Sequence, residues 1–234
     1  MANGAASGAE SIVIRDDEPA FFKHAASALY AGVVSDILDE LGFRHQAVDP
    51  ALGLRPLRPE QVVVGRARTL VNDFDSRVEN PYELAIEAMD GIQPGEVLVA
   101  GGRTLVPTGI FGELSATRVW AKQGTGAVIN GFTRDGRKLM QMGFPVFCRG
   151  TSPIDTAGRV RVVDFNVALQ LGERTVYPGQ IIFADLDGLL LIPREAEAEV
   201  MERALERARV ETDIRNELKS GASLEAVWQK YRVL

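Results

Sequence analysis

The chain has 234 residues, of which 46% are hydrophobic and 25% are charged, and its net charge is −6. These values predict a globular protein with a sizeable core, and they give no basic surface for nucleic acid or for a membrane. Cys148 is the only cysteine, which excludes an intrachain disulfide, and no apolar run approaches the ~20 residues of a membrane span. Residues 1–11 lack the basic and apolar regions of a signal peptide, so we expect a disordered tail there and a cytoplasmic protein.

Proline, glycine and hydrophobic periodicity divide the rest of the chain into alternating helices and strands. The predicted elements are, in chain order, a helix from Pro19, a short helix from Ser35 or Asp36 to Leu41, a connection over 43–60, a strand at 62–71, a helix at 82–89, a strand at 96–100, a helix at 113–123, strands at 127–130 and 145–149, strands throughout 158–193, a long helix at 194–219 and a last helix at 224–231. No Pro/Gly/Ser linker interrupts residues 12–234. The pattern therefore predicts one layered α/β domain with a long C-terminal helix.

Few side chains are available for zinc or nucleophile chemistry. The two histidines, His24 and His45, form neither H-x-H nor H-E-x-x-H, which argues against zinc and makes both surface or packing residues. A metal would rest on carboxylates, carbonyls and water, which favours Mg²⁺ or Mn²⁺. No G-x-S-x-G motif occurs, and none of the five lysines falls on a predicted buried strand, which argues against a Schiff-base enzyme.

An adjacent pair of opposite charges, Arg134 and Asp135, follows the predicted strand at 127–130. The carboxyl ends of strands are where open α/β sheets bind ligands. Neighbouring opposite charges cannot easily share one direction, so we expect each to have a partner of its own. The competing interpretation is a solvated loop with two surface charges.

A predicted helix begins with an acid, Glu113, directly after Gly112. The N–H groups of Leu114 and Ser115 in its first turn have no partner within the helix and could bind a carboxylate. The competing interpretation is an ordinary first-turn acid that complements the helix dipole.

Glu211 lies on or beside an apolar stripe of the long C-terminal helix. A buried acid needs a partner. Two explanations remain open at this point: a local pair with Arg207 or Arg215 at i±4, or a role in a functional site.

These features together resemble the signature of a known family. Gly109-x-x-x-Glu113, the twenty residues 114–133 and then Arg134-Asp135 resemble G-x-x-x-D-x20-R-D. That signature belongs to metal-dependent pyruvate aldolases of the 4-hydroxy-4-methyl-2-oxoglutarate / 4-carboxy-4-hydroxy-2-oxoadipate type, in the RraA-like superfamily. Position 113 is Glu where the signature has Asp, and Asn130 stands where Asp is expected. The resemblance covers roughly residues 20–231 and implies a layered α/β fold of the RraA-like, swivelling β/β/α type.

By position, the resemblance also implies roles for individual residues. Asp135 would bind Mg²⁺ or Mn²⁺, and Arg134 would contact the oxygen that becomes the enolate. Glu113 and Glu211 would position waters on the metal, Glu211 from a neighbouring subunit of a homotrimer or homohexamer. The implied substrate-binding set is Gly112, Leu114, Ser115 and Arg134.

The resemblance implies retro-aldol cleavage of a small 4-hydroxy-2-oxoacid to pyruvate and a second carbonyl product. The same enolate chemistry would permit decarboxylation of oxaloacetate. The competing class is a non-catalytic regulator that binds a protein partner such as a ribonuclease, because the superfamily also contains inhibitors of ribonuclease E. Some of those inhibitors carry another residue in place of the Asp after Arg, so the presence of Asp135 favours the enzyme.

Overall fold

A computed structural model describes residues 18–102 and 105–233. The predicted tail at residues 1–11 lies outside these ranges. The α-helices are α1 (Glu18–Ala28), α2 (Ala31–Glu40), α3 (Glu83–Asp90), α4 (Glu113–Ala121), α5 (Gly136–Met142), α6 (Glu197–Lys219) and α7 (Leu224–Tyr231). Short 3₁₀ helices span Pro50–Leu52 and Arg194–Ala196. The strands are β1 (Arg55–Pro56), β2 (Val63–Phe74), β3 (Glu96–Gly102), β4 (Gly109–Phe111), β5 (Gly126–Thr133), β6 (Val146–Thr151), β7 (Val160–Phe165), β8 (Leu169–Leu171), β9 (Arg174–Val176), β10 (Ile181–Ala184) and β11 (Leu189–Ile192).

A mixed sheet organises the described part of the chain, in the order β1-β6-β5-β3-β2-β10-β11. Strands β2, β3, β5 and β6 are parallel, as expected where helices connect consecutive strands. β4 adds in parallel to the end of β5, and β7 pairs antiparallel with β2. β8 and β9 form a separate hairpin. The predicted layered α/β architecture is confirmed.

The sheet curls around one apolar cluster. Phe147 of β6 and Leu191 of β11, which stand far apart in the strand order, belong to the same buried cluster with Val97 and Val128. The β8–β9 hairpin contributes Leu171 to this cluster. On the outer face, α3 and α4 cover β3 and β5, while α1, α2 and α6 cover β10 and β11. The result is a half-barrel with helices outside it.

A buried ion-pair network joins helices α1 and α6 to this sheet. Arg66 of β2 bonds Glu18 at 2.5 Å and Glu197 at 2.9 Å, and it also donates to the carbonyl of Gly179 at 2.9 Å. Arg66 is buried, and burial alone would lower its pKa, but the hydrogen bonds that it donates to both glutamates keep that pKa above the usual arginine value. The network ties the first turns of α1 and α6 to the centre of the sheet.

Several predicted boundaries differ from the structure, and two of the differences have identifiable causes. Helix α2 begins at Ala31 rather than at Ser35 or Asp36, because Oδ2 of Asp185 accepts the N–H of Ala31 at 2.7 Å and satisfies the helix start from a distant part of the chain. Strand β5 continues to Thr133, beyond the predicted end at position 130, because β4 supplies a pairing partner. An unpredicted helix, α5, follows at once.

Candidate functional site

The start of α4 and the loop after β5 meet at a junction formed by Gly112, Arg134 and Asp135. A Cβ atom on Gly112 would lie 2.8 Å from Oδ2 of Asp135 and 2.9 Å from Cγ of Arg134. A Cβ atom on Gly109 would lie 2.6 Å from Cβ of Arg134. The φ angle of Gly112 is −141°, which other residues adopt freely, so glycine is required for close approach and not for conformation.

Arg134 is anchored at both its backbone and its guanidinium. Its N–H donates to the carbonyl of Phe111 in β4 at 2.8 Å. Its Nη1 donates to Oδ1 of Asp155 at 2.7 Å, and its Nε lies 3.7 Å from Oδ2 of Asp135. The guanidinium therefore stands between two carboxylates. Each charge has a partner of its own, Asp155 for Arg134 and the N–H of Glu113 for Asp135, but the two charges also form a long ion pair with each other. A freely solvated loop does not describe this geometry.

Asp135 has a left-handed backbone, with φ of 57°, at the N-cap of α5. Its carboxylate makes no capping bond to α5 and instead accepts the N–H of Glu113 at 3.2 Å. Asp is one of the few side chains that adopts this conformation at moderate cost. The backbone geometry turns the carboxylate of Asp135 towards the start of α4.

The first turn of α4 carries backbone donors that can bind an anion. Among the described residues, the N–H groups of Leu114 and Ser115 form no hydrogen bond, whereas that of Ala116 donates to the carbonyl of Gly112 at 3.0 Å. Unpaired first-turn amides at the positive end of a helix dipole bind carboxylates and phosphates. The carboxylate-binding hypothesis for these two amides therefore has the geometry that it needs.

Glu113 points along its own helix and towards α5. Its Oε1 accepts from the hydroxyl of Thr117 at 3.3 Å, and its Oε2 lies 3.7 Å from Nζ of Lys138. Both contacts are long, and Lys138 is exposed, so they hold the carboxylate weakly. Neither contact fixes the direction of the Glu113 carboxylate.

The structure separates Glu211 from the other predicted site residues within one chain. Glu211 is half-buried on α6, which packs on α1, α2 and α7, whereas the junction belongs to α4, β5 and α5. Burial raises the pKa of Glu211, an effect that the charge of Arg215 partly opposes. Arg207 bonds Glu40 at 2.6 Å, and among the described residues Glu211 forms no hydrogen bond or ion pair. Neither Arg207 nor Arg215, at i±4, therefore forms an ion pair with the Glu211 carboxylate.

Two residues of this site carry no signal in the sequence. Asp155 lies in the loop between β6 and β7. Its Oδ2 accepts a hydrogen bond of 2.6 Å from the hydroxyl of Tyr82, the residue that precedes α3. The Tyr82 hydrogen bond is the main cause that lowers the pKa of Asp155, and the same bond raises the pKa of Tyr82. No motif connects positions 82, 134 and 155, which only the fold brings together.

The RraA-like family model, described as Aldolase/RraA, matches residues 32–191. The chain belongs to the RraA-like family. The Legionella pneumophila protein DlpA is 26% identical over 198 residues, 85% of this chain and 32% of its own length, so the chain spans about a third of that relative. A Halalkalibacterium halodurans protein, provisionally named a 4-hydroxy-4-methyl-2-oxoglutarate aldolase, is 30% identical over 172 residues, 73% of this chain and 76% of its own.

Among solved structures, this RraA-like protein is similar to RraAS2 from Streptomyces coelicolor, described as an unusual member of the RNase ES inhibitor RraA protein family. The two are 25% identical, with a TM-score of 0.70 over 84% of this chain and 96% of that one. The relatives therefore include proteins named for aldolase activity and proteins named for ribonuclease inhibition. No helix in the described ranges is long and apolar enough to cross a membrane.

The donor set of this RraA-like site fits a hard divalent cation that keeps most of its waters. Within residues 18–102 and 105–233, no group of three or more His, Cys, Asp or Glu side chains is placed to hold a metal. Mg²⁺ commonly binds through one or two carboxylates, with water and substrate oxygens completing the octahedron. Asp135 supplies one carboxylate, which contacts the N–H of Glu113 through only one of its oxygens. Both histidines are exposed, as predicted.

Asn130, where the family signature led us to expect Asp, lies on β5 and not in the junction. Its Oδ1 accepts from Nε of Arg149 on the neighbouring strand β6 at 2.8 Å. This bond needs only an acceptor oxygen, which Asn provides as well as Asp. The residue at position 130 therefore keeps a cross-strand contact.

Proposed function

We propose that this RraA-like protein is a divalent-metal-dependent aldolase that cleaves a 4-hydroxy-2-oxoacid to pyruvate and a second carbonyl compound. The observation that carries the proposal is the junction itself. Gly112 lets a guanidinium and a carboxylate approach a helix start with two amides that have no hydrogen-bond partner among the described residues. These are the groups needed to hold an oxoacid next to a hard cation. Relatives named for aldolase activity support the same conclusion.

In this site Asp135 would hold Mg²⁺ or Mn²⁺, and the cation when bound would supply a Lewis acid for the negative charge that develops on the substrate. We propose that the amides of Leu114 and Ser115 donate to the carboxylate of the oxoacid. This arrangement would orient the keto group towards Arg134. The neighbouring Glu113 N–H is already engaged by Asp135, at 3.2 Å, and so fixes the cation-binding side chain to the same helix start.

The bond that breaks joins C3 and C4 of the substrate. The 4-hydroxyl loses its proton, C4 becomes a carbonyl, and the electron pair of the broken bond forms the enolate of pyruvate. This enolate then takes up a proton at C3 to give pyruvate. We propose that Arg134 donates to the enolate oxygen, where its charge matters most in the transition state. Glu113, together with Glu211 from a neighbouring subunit, would orient the water that takes the hydroxyl proton.

A site formed between two subunits would also explain the position of Glu211 and the exposed apolar side chains around the junction. Leu114 is 76% exposed, and Tyr82 and Ile154, next to the junction, are 42% and 43% exposed. Clustered exposed apolar side chains are typical of a surface that another chain covers. We propose a homotrimer, or a hexamer built from trimers, in which the half-buried carboxylate of Glu211 completes the junction of the adjacent subunit.

The second candidate function is a non-catalytic regulator of a ribonuclease. The observation that favours it is the likeness to the RraAS2 structure, which covers most of both chains. Pyruvate release separates the two functions, because a regulator that acts only by binding protein has no need of it.

The test is a screen of 4-hydroxy-2-oxoacids and oxaloacetate, with pyruvate detected by a coupled assay. We expect activity with Mg²⁺ or Mn²⁺, its loss on chelation with EDTA and its return when either cation is restored. The variant Asp135→Asn should release no pyruvate, whereas the exposed acid variant Asp164→Asn on β7 should match the wild type. Full activity in the chelated protein would refute metal dependence. No pyruvate from any substrate would favour the regulator.

A further inference from the structure

Asp155 occupies a bridging position between Arg134 and Tyr82. One of its carboxylate oxygens accepts from Nη1 of Arg134 at 2.7 Å, and the other accepts from the Tyr82 hydroxyl at 2.6 Å. The N–H of Ala157 also donates to Oδ2, at 3.3 Å. Three donors from three parts of the chain therefore fix the orientation of this one carboxylate.

Two carboxylates, those of Asp155 and Asp135, compete for the guanidinium of Arg134. Asp155 holds the guanidinium at hydrogen-bond distance, whereas Asp135 stands 3.7 Å from Nε, outside that distance. Without Asp155, a rotation of the arginine side chain would give Asp135 the closer contact. The carboxylate proposed to bind the cation would then be engaged by a guanidinium, and the guanidinium would leave the position in which Asp155 holds it.

We propose that Asp155 and Tyr82 are positioning residues that hold Arg134 apart from Asp135 and orient its guanidinium towards the oxoacid, an inference that rests on the proposed function of this junction. Neither side chain touches the reacting atoms in this scheme. Asp155 acts through Arg134, and Tyr82 acts through Asp155. This role would explain why an exposed tyrosine stands at this position, where it contributes little to the core.

A double-mutant cycle tests the link. Asp155→Asn should lower kcat by about 10- to 100-fold, since misplacing a catalytic group by about 1 Å has effects of that order. Tyr82→Phe, which keeps the ring and removes one hydrogen bond, should lower kcat by about 3- to 10-fold. In an Arg134→Ala background, both changes should alter kcat by less than about twofold, because the group that they position is absent. Matched controls are Asp164→Asn and Tyr177→Phe, exposed residues outside the junction.

A second measurement does not depend on activity. The ¹⁵N signals of the Arg134 side chain report whether its guanidinium is held, because rotation about the Nε–Cζ bond averages the two Nη environments. We expect separate Nη signals in the wild type, and averaged signals in Asp155→Asn. Asp164→Asn should retain the wild-type spectrum.

The two readouts distinguish the failure of each idea. If no substrate yields pyruvate, the proposed function fails, and the spectra still decide whether Asp155 holds Arg134. If Asp155→Asn leaves the Arg134 signals unchanged, the positioning claim is wrong whatever the activity. Equal effects of Asp155→Asn with and without Arg134 would also overturn it, because additivity is what an unrelated structural role predicts. Tyr82→Phe supplies the same comparison if Asp155→Asn does not fold.

Discussion

Substituting Gly112 by alanine adds one methyl group at the centre of the junction. The new Cβ would lie 2.8 Å from Oδ2 of Asp135 and 2.9 Å from Cγ of Arg134, whereas ordinary contact begins at 3.4 Å. The Asp135 carboxylate must therefore move by about 0.6 Å, the difference between 3.4 and 2.8 Å. Alanine can adopt the backbone angles of Gly112, so the substitution acts through this displacement and not through backbone strain.

The expected cost falls on activity more than on folding. Overpacking of this size destabilises a protein by about 1–3 kcal/mol, and the junction is partly open, so we expect the lower end of that range. For a chain of this length, each kcal/mol of lost stability lowers Tm by about 2–4 °C. Because a misplacement of about 1 Å can reduce catalysis 100-fold, kcat should fall by about 10- to 100-fold.

The assay is pyruvate release with Mg²⁺, accompanied by thermal unfolding of the same samples. Gly188→Ala is the matched control, because its added Cβ would meet nothing within 4 Å, and we expect it to keep wild-type activity. A folded Gly112→Ala protein with kcat/KM within about twofold of the wild type would refute the reasoning. That result would mean that the separation between the helix start and the Arg–Asp loop has no part in catalysis.

Three further predictions follow from the same geometry. Arg134→Ala should lower kcat by about 10²–10³-fold, and Arg134→Lys should restore little of it, because a point charge does not replace a planar fork; steady-state kinetics on the folded variants would check this. Arg66→Ala should lower the free energy of unfolding by about 3–5 kcal/mol in urea titrations, because it leaves two half-buried carboxylates unpaired, whereas loss of the exposed Arg203 pair should cost about 0–1 kcal/mol. Glu211→Ala and Asp135→Ala chains, each inactive alone, should regain activity when co-expressed as mixed oligomers, and verified mixed oligomers without activity would contradict the shared site.

Local signals in the sequence were sufficient for much of the fold. The bounds of α7 agree with prediction because Ser223 caps the helix through its own side chain, at 3.1 Å from the N–H of Ala226. The pairs Pro178-Gly179 and Asp187-Gly188 predict turns between strands, and the β9–β10 and β10–β11 connections confirm both. In contrast, the start of α2 depends on Asp185, 154 residues away from Ala31. A cap from so distant a residue leaves no mark in the local pattern.

The sequence pattern does not predict helix α5, for a related reason. It has seven residues and buries one of them, Leu139, so it has too little apolar periodicity to predict a helix. The left-handed Gly143 at its end was the available signal. The consequence for the site is direct, because the start of α5 fixes the backbone of Asp135 and thereby the direction of its carboxylate.

The spacing between Gly109 and Arg134 has a structural meaning that explains why the sequence revealed part of the site. β4 pairs in parallel with β5, with α4 between them, so the intervening residues form one crossover. A crossover of fixed length brings the start of its helix to the carboxyl end of its second strand, and Gly109 and Gly112 allow the contact. The spacing in the motif therefore corresponds to the length of this crossover, and a different length would separate the helix start from the Arg134–Asp135 loop. Asp155 and Tyr82 reach the same point from the loop after β6 and the start of α3, where no fixed spacing relates them to Arg134. Residues of the crossover can thus be found from the sequence, whereas those that orient them are found only in the folded chain.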